Sequence, residues 1–102
     1  MDLRERLNRV ATERGFGIDD DTIGEMILEE TRLKEFDHSE HRWYTTFWAI
    51  TKMDDMFLKF QTYRNSGDEP ALDNKEHMAM IIKSVKEVFP KEVTVIDYAE
   101  KI

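Results

Sequence analysis

Three histidines and one run of acids are the residues of this chain whose types and spacing could do chemistry. His38 and His41 lie three apart, so on a helix both imidazoles would reach one metal ion, with His77 or a carboxylate completing the set. Counted from Asp19, aspartates fall at positions 1 and 3, Gly24 at 6, Met26 at 8 and Glu30 at 12, as in a calcium-binding loop between two helices. Position 5, however, is Ile23, which offers no ligand, and no second loop exists for the usual pairing. A helix cap followed by an amphipathic helix explains the same residues. The segment 37–41 reads equally well as a polar junction. The expectation is therefore no metal and no cofactor, with His38, His41 and His77 the only metal candidates.

Catalytic constellations of other kinds are missing. Asp54 and Asp55 are neighbours, and neighbours on a strand point to opposite faces, so they read as turn residues rather than an acid–base pair. Ser39, Ser66 and Ser84 lack the flanking glycines of a nucleophile elbow, and no glycine-rich loop could cradle phosphate. The chain has no cysteine, which removes disulfides, thiolate metal sites and cysteine nucleophiles. These absences lean the reading away from an enzyme.

The elements follow from periodicity. Leu3, Leu7 and Val10 recur at helical spacing and predict a helix over 2–14, closed by Gly15. Asp19, Asp20 and Asp21 suit a helix N-terminus, and Ile23, Met26, Ile27 and Leu33 extend a second helix over 20–35. From Arg42 aromatic and β-branched residues dominate, predicting a β-hairpin at about 42–52 and 55–64. A loop at Met53-Asp54 sets Phe47 opposite Phe60 and Ala49 opposite Leu58; a loop at Asp54-Asp55 keeps the same two faces. Met78, Ile81 and Ile82 predict a short third helix from about 74 to 83. Residues 84–89 fit either its continuation or a strand, and 92–98 read as a further strand. The fold class is α+β: two N-terminal helices on a three- or four-stranded antiparallel sheet, with one further short helix, all in a single domain, 1–102.

Charge is unevenly placed. The whole net charge of −7 lies in residues 19–40, where nine acids stand against Arg32 and Lys34. An acidic surface repels phosphate, which disfavours direct nucleic-acid binding and favours a basic or nucleic-acid-binding protein as partner. No stretch approaches a membrane span, and the N-terminus lacks the apolar run of a signal peptide, so the expected location is cytoplasmic. Tyr44, Trp48, Ile50, Phe57 and Tyr63 share the second face of the hairpin, which needs a cover inside or outside the chain.

Residues 42–98 resemble small phage-encoded proteins of uncharacterised function. The resemblance is carried by Arg42-Trp43-Tyr44, Met56-Phe57-Leu58, Gly67-Asp68 with Ala71 and Asp73, Glu87-Val88-Phe89-Pro90, and Val93-Thr94-Val95 with Tyr98. It implies a strand before Pro90 and an accessory protein that engages or inhibits a host protein. The expectation is thus a non-enzymatic protein-binding module. Its candidate contacts are Tyr44, Trp48, Phe57 and Tyr63 on the hairpin, and Glu25, Glu29 and Glu30 on the second helix. A homo-oligomer subunit burying the aromatic face against its own copy, or a metal-dependent enzyme, is the alternative.

Overall fold

The first helix, α1 (Leu3–Glu13), begins where the Asp2 carboxylate accepts the Glu5 N–H at 2.9 Å. It ends in a paired-bond cap: Phe16 N–H donates to the Ala11 carbonyl, and Gly15 N–H to Thr12. Gly15 takes φ +81°, a conformation that costs glycine little. The second helix, α2 (Asp20–Glu29), is capped by Asp19, which accepts from both the N–H and the hydroxyl of Thr22. The computed structural model describes residues 2–67 and 72–90.

Residues 31–40 correct the sequence reading. The helix expected over 20–35 stops at Glu29, because Glu30 is already extended, with ψ 160°, and Thr31–Glu40 form a strand, β1. Helix-favouring Leu33, Lys34 and Glu35 are outcompeted by the ladder that this segment makes with the next strand. Two bulges interrupt that ladder, one at Leu33 and one at Asp37-His38, and Asp37 adopts φ +54°. Leu33, expected to prolong an apolar helical stripe, sits instead in the first bulge and is exposed.

The hairpin forms as expected, from β2 (Tyr44–Met53) and β3 (Met56–Asn65). Its register corresponds to the loop at Asp54-Asp55, so Ala49 faces Phe60 and Thr51 faces Leu58, not the pairing set by a Met53-Asp54 loop. Asp54 takes φ +52° at the turn, which aspartate tolerates better than most side chains. A third helix, α3 (Asn74–Ser84), is capped by Asp73, and Lys86–Val88 then pair antiparallel with β3 as β4. The open question over 84–89 is thereby answered as strand. The strand expected over 92–98 lies outside the described residues.

The sheet runs β1-β2-β3-β4, all antiparallel. Its buried face holds Phe47, Ala49, Met53, Met56, Leu58 and Phe60. Against them pack Leu7, Val10 and Ala11 of α1, Ile23, Met26 and Ile27 of α2, and Met78 and Ile81 of α3. Just before β4 begins, the Gln61 N–H of β3 donates to the Ser84 hydroxyl at 2.7 Å, and that hydroxyl donates to the Met80 carbonyl. Ser84 thus carries the sheet edge over to the end of α3. Ion pairs Arg6–Glu87 and Arg14–Glu30 tie α1 to β4 and to the end of α2.

Helices α2 and α3 meet at Gly24. A Cβ built there would stand 2.8 Å from Met78 Sδ and 3.2 Å from Met78 Cβ, so any larger residue must push Met78 aside. Gly24→Leu should lower unfolding free energy by about 1–3 kcal/mol, as overpacking does. The same change at exposed Glu29 should stay within about 0.5 kcal/mol. Urea denaturation of both variants checks this, and equal stabilities would contradict the close approach.

Candidate functional site

Alternation along the strands sends every second side chain away from the helices. On that side the register builds rows across the sheet. One row sets Phe36 of β1 beside Trp48 of β2 and Gln61 of β3. The next sets Lys34, Ile50, Lys59 and Lys86 across all four strands. A third sets Thr31, Lys52, Phe57 and Val88. Phe36, Trp48, Ile50 and Phe57 are all half-buried, and the helices pack on the opposite face.

The lysines lie over the rings. Lys59 Nζ is 4.9 Å from the Trp48 ring centre and 5.2 Å from that of Phe36. Lys86 Nζ lies 5.4 Å from Trp48, Lys34 Nζ 5.5 Å from Phe36 and Lys52 Nζ 5.7 Å from Phe57. An ammonium over a ring face is attracted by its quadrupole, and the four-carbon stem covers apolar surface while the charge stays wet. The register positions of this face hold four lysines and no carboxylate. That leaves the other described residues with almost twice as many carboxylates as cations.

The candidate contacts taken from the sequence divide. Trp48 and Phe57 belong to the lysine-covered surface. Tyr44 and Tyr63 meet edge to face at 6.0 Å at the far end of the hairpin, where their own neighbours occupy them. Tyr63 donates its hydroxyl to the Leu72 carbonyl and packs on His77, while Tyr44 stacks on His41. Phe36 and Lys34 were missed, because both fell in or beside the expected helix end. Their spacing of two, continued to Thr31–Lys34–Phe36 through a bulge, offered no regular alternation to find them by.

The acidic segment is not one surface. Asp20 pairs with Arg4 at 2.7 Å, Glu30 with Arg14, and Glu35 with Arg32 and Arg64 at 3.0 and 2.9 Å. Hydrogen bonds from Arg32 and Arg64 hold the Glu35 carboxyl below the ordinary range, as the Thr22 hydroxyl and N–H do for Asp19. Glu25 and Glu29 remain on the outer side of α2, Glu25 within 3.4 Å of the Asn74 amide. Asp19 to Glu30 form a cap and a helix rather than a loop, so the calcium-loop spacing has no loop to act through.

The histidines are engaged separately. His38 stacks on Phe47, His41 on Tyr44, and His77 Nε2 lies 2.6 Å from Thr62 Oγ1. Among the described residues no group of three or more His, Asp or Glu is gathered as a metal would require. A hollow beside Leu3, Leu7, Ile82 and Val85 is apolar, with Arg4 its only charged neighbour. Compared with family models, with curated proteins and with solved structures, the chain matches none.

Burial, with Arg32 adding repulsion, pushes the His77 imidazole below its ordinary pKa. The unfolded chain therefore binds a proton that the fold resists. This contribution to stability is complete above about pH 6.5 and is lost progressively as pH falls towards the depressed folded value. The urea midpoint should drop between pH 7 and pH 5, before the carboxylates titrate near pH 4. His77→Asn should flatten that slope, and an unchanged slope would assign it elsewhere.

Proposed function

We propose that this chain is a non-enzymatic binding module whose sheet face, which no helix covers among the described residues, receives an anionic partner. One observation carries the reading: in a chain of net charge −7, the face spanning β1 to β4 holds lysines and aromatic rings and no carboxylate at its register positions. Aromatic side chains with cations at their margins suit recognition, because the rings offer contact area and the charges steer encounter. Lysine stems cover the rings in the free protein and swing aside on binding at small cost. A two-fold dimer through this face would oppose two sets of lysines, which argues against the homo-oligomer alternative.

The protein should therefore be retained on immobilised heparin, a polyanion, at low salt and neutral pH despite its net charge. The triple variant Lys34→Gln, Lys59→Gln, Lys86→Gln is expected to elute at distinctly lower salt. A wild-type protein that passes through as the triple variant does would end the reading.

A second reading follows the resemblance to phage-encoded proteins and takes a basic host protein as partner. It is favoured by the outer side of α2, where half-exposed Phe16 stands with Met26, Glu25 and Glu29 around a hollow. Glu25→Lys with Glu29→Lys should then abolish co-purification of a basic protein from the native host. Glu30 is left out because Arg14 already holds it. Co-purification that survives the double reversal removes this reading.

A further inference from the structure

Resting on the anionic-partner reading, we infer that the partner of the open face is single-stranded nucleic acid, its bases stacking on Trp48, Phe36 and Phe57 and its phosphates lying along the lysine row. The register supplies both halves of that chemistry in parallel lines. Lys34, Lys59 and Lys86 stand in one row, which across three strand spacings covers roughly 14 Å. Phe36 and Trp48 are direct cross-strand partners on one side of this row, and Phe57 lies on the other, about 7 Å away along the strands. Binders of single strands combine a cationic track for the backbone with ring faces on which bases stack. Three rings match the two or three bases that a four-stranded sheet can stack.

An acidic protein segment offers charge to the lysines but has few flat groups for three ring faces. A duplex keeps its bases stacked on one another and could use only the lysines. The rings therefore favour the single strand over both. Gln61 beside Trp48 is uncharged and would accept any base edge, and Phe57 stands between Lys52 and Val88, so little sequence preference is expected.

The acids of the helical layer do not oppose this. Asp19, Asp20, Glu25 and Glu29 belong to the helical layer or its caps, across the sheet from Trp48, and charges farther apart than about 8 Å are largely screened at physiological salt. Glu35 lies nearer, but Arg32 and Arg64 neutralise it.

Fluorescence titration tests the inference with twelve-nucleotide oligothymidylate and oligouridylate, a duplex of equal length and an acidic peptide of glutamate and tyrosine. The protein carries Trp43→Phe so that Trp48 is the only reporter. Both oligonucleotides should quench Trp48, the two arms distinguishing DNA from RNA. Affinity should fall with salt at a log–log slope of about 2–3 for three or four phosphates, and Lys59→Gln should lower the slope by about 0.7. Phe36→Ala and Phe57→Ala should each weaken binding about tenfold, within the range for loss of one stacked base. The lysine variant, at a surface position, keeps the test open if a ring variant fails to fold. Retention on heparin without quenching by either oligonucleotide would overturn this inference and leave the anionic-partner reading intact. Duplex bound as tightly as single strand would reduce the face to charge alone, and preference for the peptide would make the partner a protein. Either result overturns it.

Discussion

Ten consecutive cross-strand pairs, from Tyr44 with Asn65 to Met53 with Met56, hold β2 to β3, and the rest of the molecule depends on that register. A slip of one residue would turn one strand over against the other, setting Phe60 beside Trp48 on the outer face and Lys59 beside Ala49 on the buried one. The register is secured from one side only. Phe47, Ala49, Met53, Met56, Leu58 and Phe60 are buried beneath three helices of ten or eleven residues, and those helices are spent on that face. The second face follows as a consequence: its side chains are fixed by the same ladder but have no layer above them among the described residues.

What could be read from residue order alone tracks the strength of the local signals. Both faces of the hairpin were legible because aromatic and β-branched residues alternate without a break, and because alternation does not depend on where the turn falls. The α1 terminus was legible because Gly15 supplies the one conformation its cap needs. By contrast β1 was hidden. Thr31–Glu40 is mostly charged, its helix formers are common, and its two bulges spoil the period of two just where it would have shown. The candidate site suffered in proportion, since Trp48 and Phe57 were found on the hairpin while Phe36 and Lys34 were not. Likewise, counting acids over 19–40 suggested a single acidic face, but Asp20, Glu30 and Glu35 are distributed to four arginines, Arg4 and Arg14 at α1, Arg32 on β1 and Arg64 on β3.

Those same bulges bear on how readily the β1 edge could pair with another strand. An edge strand of ten residues presents a row of unpaired backbone groups and invites another strand to join. β1 interrupts its ladder at Leu33 and again at Asp37-His38, and Asp37 turns its backbone to φ +54°. Irregular backbone and dense charge make a poor template. Features that concealed this strand in the sequence are therefore the ones that make its edge a poor template for pairing.

Net charge then becomes a poor guide to what the protein meets. Electrostatic steering at contact range is set by charges within about one screening length, whereas the sum over the chain mixes surfaces that no single partner touches. Here the sheet separates an acidic helical layer from a lysine-bearing face, so the sum of −7 describes neither of them. The acidic layer still has a physical effect, because it repels polyanions that approach from the helical side. For a polyanion only an approach to the lysine-bearing sheet face would then be favoured, and which face that is follows from the same strand alternation that decides which side chains are buried.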